Sequence, residues 1–398
     1  MFVGTYEVSY LLVITTNSRV AIFELLLPPL RFSHRSLRRL RHVQTMDPNI
    51  MTYPIPGNTK GGLLHVYGRS YAKNLILCCG GYPDDHKPFT PLAQRLASEE
   101  DCMVGITCFP GFDLDTYQKY KYNGYKRTGY NFDEVAVSIR EAVSRLHRRW
   151  GESNKTTYRD ETIPKFTIIL HDWGVIPGLM FINRAIKTKY SPHVPDKIVL
   201  LDVLTMPHRQ YKDLPRQEDV PYSLKPSMYE LVVCISYRFA LAISFVWLRF
   251  VSDIIGLINF AIFFQIIILL RLSPCQSFDH KFAVTERAQK ASSPLVFYRH
   301  LVYMCYPYYY MFLCLICNTG FEDITIPLDL KATPILYIYG ERKNIMFHDW
   351  RSLAILEREE REGRSDCRVV SVKDSGHWMY VQKLDVCLEE IKKFIKFK

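Results

Sequence analysis

Asp172 is the residue whose placement most suggests chemistry. It lies in His171-Asp172-Trp173-Gly174, directly after the apolar, strand-like run 166–170 and ahead of a helical pattern. A carboxylate is already ionised at neutral pH and attacks an electrophilic carbon without a base to activate it. At the first turn of a helix the same side chain is also stabilised by unpaired amides and the macrodipole, so its position alone leaves a structural role open. The other residues of interest are His377, in Asp374-Ser375-Gly376-His377-Trp378-Met379, Asp202 in Leu201-Asp202-Val203, and Glu341 after Gly340. No Gly-x-Ser-x-Gly motif offers a competing serine.

These residues need elements to position them. Short apolar runs alternate with amphipathic helical patterns from residue 61 onward, which predicts βα units and an α/β fold with a mostly parallel sheet. Strands are expected over 63–67, 74–79, 103–108, 166–170, 197–203, 335–339 and 368–372. Helices are expected over 89–98, 132–149 and 385–396, and one beginning near Trp173. In the second of these, Val135, Ile139, Val143 and Leu146 recur at helical spacing, and Asn131 precedes it as a cap.

The sequence divides into an extension over 1–60, two sheet-forming halves over 61–206 and 326–398, and an insertion over 207–325. In the extension, apolar runs at 10–15 and 20–30 precede an arginine-rich stretch, the reverse of the order in a secretory signal. A signal anchor, a mitochondrial presequence and a start at Met46 all remain open there. The insertion concentrates the hydrophobicity. Residues 231–248 are interrupted only by Arg238, 254–270 carry no charge, and 301–321 hold the string Tyr308-Tyr309-Tyr310. The first two runs are of borderline length for a membrane span, the tyrosines of the third suit a lipid–water interface, and Asn259 and Gln265 count against free exposure to lipid. A greasy lid over a lipophilic substrate is the competing expectation.

The 398 residues are 48% hydrophobic and 23% charged, which allows a sizeable core and excludes bulk disorder. The net charge of +11 accompanies no nucleic-acid-binding module, so nucleic acid is not an expected partner. Attraction to an anionic membrane surface accounts for it more simply. The eleven cysteines are odd in number and set in apolar runs, which predicts reduced thiols in a cytosol-facing, membrane-associated protein. The Cys314 and Cys317 pair has no second pair or neighbouring histidine to complete a metal site.

The order of strand, Gly-Gly-Tyr-Pro turn, helix, Asp172 junction, insertion and late histidine resembles the α/β-hydrolase superfamily. His171-Asp172-Trp173-Gly174 is similar to the nucleophile elbow of its epoxide hydrolase and haloalkane dehalogenase branch. The resemblance implies a central, mostly parallel sheet flanked by helices, with a large helical cap inserted between core strands. It implies that Asp172 is a nucleophile forming a covalent ester and that His377 is the base activating water. It implies oxyanion donation by the backbone amides of Tyr82 and Trp173. No metal or organic cofactor is implied. The substrate would be a lipophilic epoxide or a related small molecule, and oligomeric state is left open.

Several residues depart from the family pattern. Gly80 replaces the histidine of the His-Gly-x-Pro turn, which removes side-chain bracing of that loop. Leu170 and Val175 are bulky where the elbow prefers small residues, which predicts a looser or rebuilt turn. Lys343 stands where a late acid is common, and a cation there cannot stabilise an imidazolium. Asp202 is then the expected acid, with Glu341 as the alternative. Epoxide opening needs two cap tyrosines, and the insertion offers ten: Tyr211, Tyr222, Tyr229, Tyr237, Tyr298, Tyr303, Tyr306, Tyr308, Tyr309 and Tyr310. Dehalogenation would instead call on indole donors such as Trp173 and Trp247. These departures also motivate a different class, a non-catalytic membrane-associated binding or scaffold protein.

Overall fold

A computed structural model describes residues 9–16, 19–26, 48–55, 58–120, 124–154, 164–188, 193–211, 228–269, 291–317, 319, 323–343 and 347–396. The chain forms two units, Met1–Thr45 and Met46–Lys398. In the first, the apolar runs of the extension pair as an antiparallel hairpin of β1 (Ser9–Thr16) and β2 (Arg19–Leu26), with Ser9 opposite Leu26. The arginine-rich stretch 31–41 lies outside the described residues.

The second unit is built on one eight-stranded sheet. Its first strands are β3 (Asn49–Ile55), β4 (Asn58–Tyr67) and β5 (Asn74–Cys79). Helix α1 (Thr90–Glu99) leads to β6 (Cys102–Thr107), and α2 (Leu114–Tyr120) and α3 (Phe132–Asn154) lead to β7 (Lys165–His171). Helix α4 (Val175–Thr188) returns to β8 (Lys197–Leu201), and a two-residue strand, β9 (Val203–Leu204), follows. Next come the insertion helices α5 (Met228–Val246), α6 (Asp253–Leu269), α7 (Pro294–Tyr303) and α8 (Tyr306–Cys317). The chain then re-enters the sheet through β10 (Ile335–Gly340), β11 (Phe347–His348), α9 (Trp350–Glu362) and β12 (Arg368–Val372), and closes with α10 (Met379–Gln382) and α11 (Leu384–Ile395).

The sheet order is β12-β10-β8-β7-β5-β6-β4-β3. Pairings from β6 through β12 are parallel, and β4 runs against both β3 and β6. This is the strand order of an α/β-hydrolase fold. The sheet takes in β3, ahead of residue 61 where the sequence reading begins the core. In β3 only Tyr53 and Ile55 are buried, the weak pattern of an edge strand.

Buried parallel strands carry apolar residues on both faces, and β5 and β7 do so residue by residue. Leu75, Leu77 and Cys79, with Phe166, Ile168 and Leu170, join the core under α3, α4 and the insertion. Ile76, Cys78 and Ile169 join the opposite core under α1 and α11. Asn131 caps α3 as expected and completes a capping box: its Oδ1 accepts from the Glu134 amide at 2.8 Å, and the Glu134 carboxylate accepts from the Asn131 amide at 3.1 Å.

The insertion is tied to the sheet domain by polar contacts at its buried face. His300 Nε2 bonds the Gly111 carbonyl at 2.8 Å, and the Tyr306 hydroxyl donates to the Pro110 carbonyl at 3.2 Å. Asn259, puzzling inside an apolar run, donates to Ser244 Oγ at 3.0 Å and so joins α6 to α5. Gln265 carries no described side chain.

Candidate active site

Strands β5, β7 and β8 end level with one another, Cys79 opposite Leu170 and His171 opposite Leu201. The loops leaving their carboxyl ends therefore meet at one place, where parallel sheets of this kind hold their sites. Five loop segments bring residues there: Gly80–Asp85 after β5, Asp172–Gly174 after β7, Asp202 after β8, Lys343 after β10, and Ser375–Trp378 after β12.

At the end of β7 the chain turns through a short 3-10 segment, Asp172–Gly174, directly into α4. Asp172 has φ +51°, in the left-handed region a non-glycine residue enters only at some cost. The turn survives the bulky Leu170 and Val175, both fully buried, because Gly178 on α4 gives Leu170 its room; a Cβ there would lie 2.4 Å from Leu170 Cδ1. Both bulky side chains are thus accommodated within the turn.

Asp172 Oδ2 accepts from the Tyr82 amide at 2.8 Å, and the Trp173 amide also bonds the carboxylate. Gly81 permits this approach: a Cβ on it would stand 2.3 Å from Trp173 N and 2.4 Å from Asp172 Oδ2. The loop lacking a histidine at Gly80 is braced from within, by the Asp84 amide on the Gly81 carbonyl at 2.7 Å.

The other carboxylate oxygen, Asp172 Oδ1, lies 3.6 Å from His377 Nε2. On its far side His377 Nδ1 bonds Asp202 Oδ2. Asp202 leaves β8 with φ +70° and is fully buried. The remaining Asp202 oxygen, Oδ1, accepts from Lys343 Nζ, and both of those side chains are wholly shielded from solvent. Glu341, the alternative acid, is exposed and bonds Ser371 Oγ at 2.8 Å, away from His377.

Charges in this cluster shift one another. Burial pushes the Asp172 carboxyl above its ordinary value, against the pull of His377, His171 and the Trp173 amide. Burial acts in the same sense on Asp202, but Lys343 and His377 outweigh it and hold that carboxyl well below the usual range. For His377, burial disfavours the imidazolium, yet Asp202 and Asp172 prevail and raise it above an ordinary histidine, while Lys343 pulls the other way. His171 braces the loop from behind, its Nε2 donating to the His377 carbonyl at 3.0 Å.

Tyr222 lies outside the described residues; among the described insertion tyrosines, Tyr237 on α5 and Tyr308 on α8 act electrostatically on Asp172. Their rings meet edge to face at 6.1 Å, and Tyr308 packs against Trp173 at 4.9 Å and Tyr82 at 5.3 Å. Each phenol oxygen has an N–H neighbour. Arg238 Nε donates to Tyr237 Oη at 3.2 Å, and the Trp173 side chain hydrogen-bonds Tyr308. Accepting these bonds leaves each hydroxyl hydrogen to another acceptor. Trp247, the second indole considered for halide binding, is exposed on the insertion. Arg238 was read in the sequence only as a break in an apolar run.

Elsewhere, among the described residues, His65, His86 and Asp113 bring one potential ligand atom each within 4.8 Å of one another. The two imidazoles stack at 3.7 Å with 14° between planes, so their in-plane lone pairs run side by side instead of converging on an ion.

No protein-family model matches the chain, and no curated protein matches it. Among solved structures, it is similar to an epoxide hydrolase of the α/β-hydrolase superfamily from hot-environment metagenomes, at 15% identity and TM-score 0.47, over 89% of this chain and 100% of that one. It is similar to an epoxide hydrolase from Vigna radiata at 15% identity and TM-score 0.44, over 88% and 98%. It is also similar to a thermophilic esterase from Thermogutta terrifontis at 12% identity and TM-score 0.48, over 87% and 98%. Strand order, the lone reversed strand β4, the elbow after β7 and the helical insertion between β9 and β10 establish an α/β-hydrolase fold for this chain.

Proposed function

We propose that the protein is a hydrolase that opens lipophilic epoxides through a covalent ester on Asp172. The observation that carries this reading is His377 set between two carboxylates, with Nε2 toward Asp172 and Nδ1 on Asp202. Asp172 Oδ1 attacks an epoxide carbon and the ring C–O bond breaks. Tyr237 or Tyr308 gives its hydroxyl proton to the departing alkoxide. The product of this step is a hydroxyalkyl ester of Asp172.

In the second step His377 takes a proton from water, and the resulting hydroxide adds to the ester carbonyl carbon. The Tyr82 and Trp173 amides hold the oxyanion, as they hold Asp172 Oδ2 in the resting site. Collapse releases a diol and regenerates the carboxylate, and the proton on His377 returns to the tyrosinate. Asp202 keeps Nδ1 protonated so that Nε2 faces the water. Trp173 is engaged with Tyr308, which favours epoxide opening over halide displacement.

The test is diol formation by the purified protein from a panel of lipophilic epoxides, alongside Asp172→Asn. Turnover abolished by the substitution supports the reading. Equal turnover by both proteins, or neither diol nor adduct from any epoxide, sinks it and leaves the fold to a non-catalytic binding role.

We further infer that the insertion rests on a membrane surface as a cap over the site, on a protein whose catalytic face meets the cytosol. Helices over Val232–Val251 and Leu295–Cys317 are long and apolar enough to cross a membrane. Each nevertheless has a face turned into the protein, through residues such as Tyr237, Phe245 and Leu248 on one and Val302, Tyr306 and Tyr308 on the other. The outward faces bear Ile235, Phe239 and Phe250 on the first and Leu315 and Ile316 on the second, and the neighbouring α6 adds exposed Ile254 and Ile255. One buried face and one greasy face suit a helix lying in the interface. Sedimentation with anionic vesicles tests this: Phe239→Glu with Ile235→Glu should release the protein, and unchanged binding contradicts it.

A further inference from the structure

We propose that Lys343 is a positioning residue of this site, setting through Asp202 how readily His377 takes up a proton. The inference rests on the triad reading above.

Lys343 Nζ and His377 Nδ1 occupy the two oxygens of one buried carboxylate. Asp202 is therefore shared between an ammonium ion-pair partner and an imidazole, with no exposure on the lysine or aspartate side chain. The sharing has a consequence visible in the count of charges. Without Lys343, a neutral His377 would sit between two carboxylates in a buried site, at a local charge of −2, and protonation would relieve it to −1. With Lys343 the same steps run from −1 to 0. The lysine thus opposes protonation of His377, and a base that must accept a proton from water has to begin unprotonated.

The groups facing His377 come from every neighbouring segment. They are Asp172 from the elbow, Asp202 from the end of β8, Lys343 from the loop after β10, and His171 from β7 with Asp84 behind it at 3.4 Å. His348 on β11 also lies within the field of Lys343 and Asp202, and burial with the Lys343 charge lowers it to about 4. Of these groups, Lys343 is the only lysine or arginine. It occupies the sequence position where related chains carry a second acid, so a residue that looks like a lost catalytic group becomes the counter-ion of the acid after β8.

The experiment is an NMR titration of the full chain labelled with 15N-histidine, with His377 assigned from His377→Gln. Lys343→Met and Lys343→Gln both remove the charge, the second keeping a hydrogen-bond donor for Asp202, and Lys343→Arg keeps it. Removing the charge should raise the His377 midpoint by about one pH unit or more, and Lys343→Arg should hold it within about 0.3 unit of the parent. An unmoved midpoint in a folded neutral variant, or an equal shift in Lys343→Arg, overturns the proposal. The titration needs no turnover: absence of epoxide hydrolysis would defeat the triad's proposed reaction while leaving the effect of Lys343 on His377 readable.

Discussion

Asp202 holds His377 from the end of β8, although 175 residues separate the two in the chain. It also anchors the buried Lys343, so one carboxylate contacts both the imidazole and the lysine. Asp202→Asn should therefore act twice. It leaves Lys343 buried without its partner, at a cost of about 3–5 kcal/mol in unfolding free energy by urea titration. It also withdraws the charge that raises His377, so the acid limb of any pH–rate profile should move to lower pH as the rate falls. A variant as stable as the parent, with an unmoved limb, would mean that the ion pair is not formed.

Tyr237 and Tyr308 reach Asp172 from different helices of the insertion, and each phenol oxygen already accepts a hydrogen bond. Replacing either by phenylalanine should slow formation of the covalent ester about 10²-fold or more in single-turnover experiments, because alkoxide departs without its proton. Hydrolysis of ester already formed should slow far less. Equal slowing of both steps would show that the tyrosines serve packing.

Buried His65 gives the fold an acid-sensitive element. Burial, reinforced by His86, lowers it to about 4 from the ordinary 6.5 of histidine. The unfolded chain then binds more protons between those values, so this contribution to stability is whole above pH 6.5 and is lost as pH falls toward 4. In His65→Gln, unfolding free energy measured by urea titration should decline less steeply across that window. An identical slope in parent and variant would show that His65 titrates normally in the folded state.

The sheet was legible, and so was the meeting of Asp172, Asp202 and His377 at its edge, because their signals are local. Short, β-branched apolar runs such as 166–170 suit buried strands, and an aspartate closing each of two such runs marks the sheet's carboxyl edge. His377 followed from its place between the last strand and the last helix. The tyrosine pair was not legible: choosing Tyr237 and Tyr308 from ten requires knowing how α5 and α8 turn against the elbow. Helix α9 escaped notice because its sequence is dominated by glutamate and arginine, with Leu353, Ile355 and Leu356 as its short buried stripe. Lys343 was legible only as a departure, since a cation acquires its meaning from the acid it touches. The bulk of Leu170 and Val175 misled for a related reason, the compensating space being supplied by Gly178 on the next helix.

The central claim is a covalent ester on Asp172. His377→Gln keeps the nucleophile and removes the base, so it should accumulate that ester when mixed with a lipophilic epoxide. Intact-mass and peptide mass spectrometry should show a gain equal to the whole epoxide, on the peptide containing Asp172 and absent from Asp172→Asn. Diol released by the parent with no adduct in His377→Gln, or an adduct on any other residue, would contradict the account.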